Sequence, residues 1–140
     1  MGSLTTLTLA GLALACTVAQ AAPGAGLRIS RNGPTYQAPA CKALDLTQEV
    51  TLEAWVQADR MGQEGGRILD QSAPGTQRGY MLDTWPGNSL RFLNAKGMCR
   101  YDAKLPAGKW THVVGVYSAP KRIMRLYMDG KEVARLESGE

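Results

Sequence analysis

The side chains that could do chemistry in this 140-residue chain are few and lie far apart in sequence. Glu53 and Trp55 alternate with Leu52, Ala54 and Val56. In an extended strand the acid and the indole therefore share one face and the aliphatics the other. A carboxylate beside an aromatic surface suits a sugar ligand, but glycoside hydrolysis needs two carboxylates at a controlled separation. Glu53 has no acid at two-residue spacing, and Asp45, Asp70 and Asp83 fall on separate segments. His112 is the sole histidine and sits inside an apolar run, where a structural role is commoner than that of a base. No serine occupies a G-x-S-x-G elbow, and Gly62-Gln63-Glu64-Gly65-Gly66 lacks the lysine of a phosphate loop. Catalysis is not expected of these residues.

Binding is the remaining chemistry. Trp85-Pro86-Gly87-Asn88 is a turn carrying a large aromatic. Such a ring either stacks on the apolar face of a sugar or covers the rim of a core. Trp85, Glu53 and Trp55 are the candidate ligand-binding residues, with an ordinary solvent-face role as the alternative for each. Tyr80, Tyr101 and Tyr127 read as core or cross-strand residues. Of three cysteines, Cys16 lies in the N-terminal apolar segment, which leaves Cys41 and Cys99. An even count in an exported chain suggests one disulfide, worth about 4 kcal/mol on the chain-entropy account. Two separately packed thiols are the alternative. Two thiols and one histidine without close ligand pairs make no zinc site.

The elements that must position these residues read as strands. Asp129-Gly130 stands between two apolar runs, a strong short-range hairpin signal. Turn residues recur at Asn32-Gly33-Pro34, Gly65-Gly66, Ala73-Pro74-Gly75, Trp85-Pro86-Gly87 and Pro106-Ala107-Gly108. The runs between them predict strands near 49–57, 66–71, 78–84, 88–95, 98–103, 110–117, 122–128 and 131–136. Strand 49–57 should bury Val50, Leu52, Ala54 and Val56. Short strands with such punctuation indicate an all-β sandwich, and no long helix is expected after residue 25.

Two segments carry a family resemblance. Trp110-Thr111-His112-Val113-Val114-Gly115-Val116-Tyr117, a polar break, then Arg125-Leu126-Tyr127-Met128-Asp129-Gly130-Lys131 resembles the central hairpins of laminin-G-like and pentraxin-like jelly rolls, in the concanavalin A-like lectin/glucanase superfamily. Upstream, Ala43-Leu44-Asp45-Leu46 and Val50 to Val56 resemble that family's early strand. The resemblance covers most of the chain after about residue 25 and implies an antiparallel jelly-roll β-sandwich. It also implies further strands past Glu140 that close the sandwich, so the domain, 22–140, is expected to be incomplete. Calcium is the cofactor the resemblance brings to mind, with Asp70, Asp83 and Asp129 as candidate oxygen ligands. No D-x-D-x-D-G loop is present, and Asp129 is better explained by its turn. In the pentraxins several ligands lie downstream of this hairpin, so such a site would be incomplete here. No cofactor is required.

Residues Leu4 to Ala22 contain no charged side chain and match a secretory leader in length. Ala19-Gln20-Ala21 reads as its cleavage site, giving a signal peptide over 1–21 and a mature chain from Ala22. The n-region lacks Lys and Arg, which departs from the usual pattern. Myristoylation at Gly2 and lipid attachment at Cys16 are weaker readings, the first displaced by the apolar segment behind it and the second by a poor lipobox. The chain is expected to be secreted, periplasmic or at the cell surface, with no transmembrane segment once processed.

Net charge is +4, and Arg91 to Arg135 holds ten Lys/Arg against three acids. An anionic polysaccharide is one partner this admits, although strands facing water carry Lys and Arg in any case. Nucleic acid does not fit an exported chain without a reading motif. The expectation is an exported, non-catalytic recognition module for glycan or a neighbouring protein domain. An accessory module of a secreted glycoside hydrolase, its catalytic domain after residue 140, and a purely architectural domain are the alternatives.

Overall fold

The computed structural model describes residues 26–30, 33, 35–59, 65–72, 78–87 and 89–137, with the side chains of Ala103 and Lys104 outside that description. The chain divides into two units, Met1–Pro39 and Ala40–Glu140. In the first unit the described residues form no helix or strand and carry one backbone hydrogen bond, from Gly33 N–H to Ser30 O. The leader and its cleavage site lie outside the described residues.

The second unit holds all eight expected strands, none displaced by more than two residues at either end. They are β1 Glu49–Gln57, β2 Gly66–Asp70, β3 Tyr80–Thr84, β4 Ser89–Asn94, β5 Gly97–Lys104, β6 Trp110–Ser118, β7 Ile123–Met128 and β8 Lys131–Glu137. They build two antiparallel four-stranded sheets, ordered β1-β6-β7-β8 and β2-β3-β4-β5. The second sheet is a meander of consecutive strands, placed in the chain between β1 and its partner β6. The Asp129-Gly130 hairpin forms as read, both residues at positive φ (48° and 78°), the backbone a two-residue turn needs to match strand twist.

Alternation sends one face of each sheet inward. The first sheet contributes Val50, Leu52, Val113, Tyr117, Met124 and Leu126 to the core, and the second contributes Tyr80, Leu82, Leu90, Phe92 and Cys99. Burial along β1 is complete at Val50 and Leu52 but only partial at Ala54 and Val56, so the strand leaves the core toward its C-terminal end. Gly115 marks the closest approach between the sheets. A Cβ there would lie 2.7 Å from Phe92 Cγ, so the phenylalanine ring seats directly on bare backbone.

A 3-10 turn at Lys42–Leu44 was not anticipated. The Tyr80 hydroxyl donates to Leu44 O at 2.8 Å, tying this turn to the second sheet. Burial, with a smaller contribution from Asp45, raises the Tyr80 pKa above its ordinary value and keeps the phenol protonated to donate. Tyr80→Phe should lower unfolding free energy by about 1 kcal/mol in urea denaturation, the ordinary net value of one such bond.

The Cys41–Cys99 disulfide expected from the even count is not formed. Cys99 faces Phe92 across the β4–β5 pair and is packed into the core, 2% exposed. Burial, and secondarily Glu132, raises its pKa and holds it as a thiol. Cys99 thus behaves as a small apolar core residue, the alternative the sequence left open.

Candidate functional site

The outward face of the first sheet follows from register. Paired rows run Glu49–Ser118, Thr51–Val116, Glu53–Val114, Trp55–His112 and Gln57–Trp110. The pairing thus sets Glu53 and Trp55 of β1 beside His112 and Trp110 of β6. The Trp55 and His112 rings stack, with centroids 5.0 Å apart and planes at 30°. His112 Nε2–H donates to Glu53 Oε1 at 2.9 Å, fixing the imidazole under the indole. The backbone beneath is pinned as well: His112 N–H donates to Asp129 Oδ1, and Asp129 N–H to His112 O. The hairpin turn and the aromatic stack are therefore one mechanical unit.

Exposure separates these residues from core aromatics. Trp55 is 64% exposed and Trp110 52%, while Glu53 also faces solvent. Gln57 donates to Gly108 O at 3.0 Å and Gly108 N–H to Ala58 O at 2.7 Å, anchoring the loop that leads into Trp110. Trp85 is likewise 50% exposed. It sits on the β3–β4 turn before a cis Pro86, with its N–H bonded to Ser89 O at 2.8 Å. Strand direction places Trp85 and Trp110 toward the same end of the two sheets, since the short segment 105–109 joins the end of β5 to the start of β6.

All three candidate residues are thus solvent-facing, and the structure brings Glu53 and Trp55 together while leaving Trp85 on a separate turn. Sequence reasoning missed two members of the cluster. His112 was read as structural and Trp110 only as the start of a strand. The i, i+2 spacing of Trp110 and His112 was the available signal, since it puts both on one face once the strand is assigned.

The geometry limits the chemistry. The Glu53–His112 pair has one carboxylate. The other acid of β1 on this face, Glu49, is four residues away, about 13 Å along a strand. That exceeds the roughly 5–9.5 Å separations at which paired carboxylates work on a glycosidic bond. Glu49 also accepts from Ser118 Oγ at 2.7 Å. The three candidate calcium ligands do not converge. Asp70 binds Arg67 and Ser72, Asp83 binds Arg91, and Asp129 caps His112 and lies 3.7 Å from Lys109. No group of three His, Cys, Asp or Glu stands together among the described residues. No helix among them is long and apolar enough to cross a membrane.

Farther along the same face, β7 and β8 carry a charged network. Glu132 accepts from Arg135 Nε at 2.8 Å and Nη2 at 3.3 Å, and from the Tyr127 hydroxyl at 3.4 Å. Arg135 accordingly holds the Glu132 carboxyl below its usual range. Arg125 Nε stands 3.6 Å from Glu132 Oε2, outside hydrogen-bond reach, and is buried without a hydrogen-bond partner.

A family model described as the concanavalin A-like lectin/glucanases superfamily, Laminin_G_3, matches residues 30–140. The chain belongs to this family. A search of the curated proteins finds no match.

Proposed function

We propose, from membership of this lectin-type family, that the domain is an exported, non-catalytic recognition module that binds glycan on the Trp55–His112–Trp110 corner of its first sheet. The observation that carries the reading is the exposed Trp55 ring, stacked on an imidazole that Glu53 holds in place. A soluble domain gains nothing in stability from an indole turned to water, whereas a flat, immobilised aromatic surface is what the apolar face of a pyranose needs. Glu53 and His112 position the indole, and the outer Glu53 carboxylate oxygen remains able to accept from a sugar hydroxyl. Trp110 extends the platform along β6, and Trp85 is assigned to the same ligand at the edge. Export is inferred from the apolar leader, and the lack of a second carboxylate at working distance supports a binding role without hydrolysis.

Titration calorimetry against a panel of soluble polysaccharides tests this. Trp55→Ala should weaken binding about thirty-fold, the loss of an interface hot spot of about 2 kcal/mol. Its unfolding midpoint should stay close to that of the unaltered protein, because the ring is outside the core. Unchanged affinity in both Trp55→Ala and Trp110→Ala would sink the assignment. Release of reducing ends from any panel member would overturn the non-catalytic part.

A further inference from the structure

We infer that the same face carries a second subsite, for the carboxylate or sulfate group of an acidic polysaccharide, seated between Lys121 and Arg125. The inference rests on the glycan reading above and names the ligand class. A depression of about 200 Å³ opens on the outward face of the first sheet, with Val116 and Ile123 as apolar floor and Lys121, Arg125, Glu49 and Ser118 among its lining groups. It is continuous with the aromatic corner. Thr51, also on its wall, is four residues along β1 from Trp55, and Val116 is four along β6 from His112. That separation is about 13 Å, so a short run of sugar units spans from the indole to the cations.

Charge pairing decides what the depression holds. Glu132 is the carboxylate nearest Arg125, and Arg135 already takes both of its oxygens. Arg125 is therefore the surplus cation of the network, with a buried Nε lacking a hydrogen-bond acceptor. Lys121 is exposed and pairs with no carboxylate among the described residues. Glu49 is the one acid on the wall, and Ser118 Oγ–H occupies one of its oxygens. An anionic group entering here meets two unmatched cations over an apolar floor. A planar guanidinium favours oxyanions of carboxylate or sulfate geometry, and the apolar floor receives the ring that carries them.

Two matched pairs of polymers test the subsite: dextran sulfate beside dextran, and polygalacturonate beside its methyl ester. In low salt the charged member of at least one pair should bind about ten-fold or more tightly than its neutral partner. The preference should shrink as salt rises through the range where Debye screening becomes short. Lys121→Gln with Arg125→Gln should bring charged and neutral polymers within about two-fold of each other, leaving neutral binding intact. Lys121→Gln alone, at an exposed position that folding does not need, should remove part of the preference. Glu49→Gln should strengthen binding of the charged polymer by a few-fold, since a like charge is removed while the Ser118 bond is kept.

Equal binding of charged and neutral members in both pairs would overturn the subsite, and so would a preference that survives the double substitution. Trp55→Ala, run in parallel, separates the two readings. Loss of all binding with Trp55→Ala supports the platform whatever Lys121 and Arg125 do. A charge preference that persists at full affinity in Trp55→Ala removes the platform and leaves the cation pair. Failure of the unaltered protein to bind any of the four polymers overturns both.

Discussion

Phe92→Ala should lower the unfolding free energy by about 3–5 kcal/mol, a large fraction of the total for a domain of this size. The ring is fully buried at the centre of β4 and rests on the Gly115 backbone of the opposite sheet. Removing it opens a cavity between two rigid sheets, where neighbouring strands cannot close in without breaking their ladders. The reciprocal change is also unfavourable. In Gly115→Ala the new Cβ would meet Phe92 Cγ at 2.7 Å and Cδ2 at 2.9 Å, a contact that costs about 1–3 kcal/mol through displaced packing. The two sites are in contact, so their effects should not add. Phe92→Leu combined with Gly115→Ala should be less destabilised than the sum of the single changes, because the smaller side chain makes room for the added methyl. Denaturant unfolding of the four proteins measures the coupling, and strict additivity would show that the two residues do not touch.

The second large effect is expected at an ion pair on the outward face of the other sheet. Asp83 accepts from Arg91 Nε at 2.8 Å and again from Nη2. The carboxylate is 7% exposed and the guanidinium 19%. The hydrogen bond to Asp83 is the main reason the Arg91 pKa lies above its ordinary value. Register makes this pair the centre of a row, Arg67–Asp83–Arg91–Arg100, across all four strands. Arg67 and Arg100 turn to Asp70 and Asp102, so Asp83 alone separates like charges in the middle. Asp83→Ala should cost about 3 kcal/mol, the lower end for breaking a buried pair, since Arg91 keeps some contact with water. Asp83→Leu with Arg91→Met should recover most of that loss, because the residual penalty belongs to the orphaned cation. If the double variant is as unstable as Asp83→Ala, the pair contributes specific binding energy beyond relief of an unmatched charge.

Strand positions were legible because period-2 alternation and Gly/Pro punctuation are local properties. Val50 and Leu52 point inward for the same reason that Glu53 and Trp55 point outward. What joins Trp55 to His112 is not local. It depends on the β1–β6 register, set across the whole intervening sheet, and a lone histidine in an apolar run carries no mark of a partner fifty-nine residues away. The Asp83–Arg91 pair was hidden differently. Each residue looked like an isolated charge until the β3–β4 turn, with Trp85 bonded to Ser89, set their strands opposite one another. The cysteine reading failed because parity counts thiols without regard to direction, and Cys99 turns into the core with Phe92. The weak burial of Ala54 and Val56 was also beyond pattern reading, since alternation gives the face of a strand but not where the facing sheet ends.

The sheet order has a consequence for how the chain reaches this structure. β2 to β5, and β6 to β8, each join consecutive strands through short turns, so both groups can form soon after they are made. β1 is different: it must remain unpaired until β6 exists, more than fifty residues later in the chain. At ribosomal rates of about 5–20 residues per second, that is a wait of roughly 3–10 seconds. Contacts that close so long a loop form late, after the meanders. Substitutions at Val50 or Leu52 therefore act chiefly on the unfolding rate. The strand that presents Trp55 is the one most in need of protection from other chains while it waits, and the last to be locked in place.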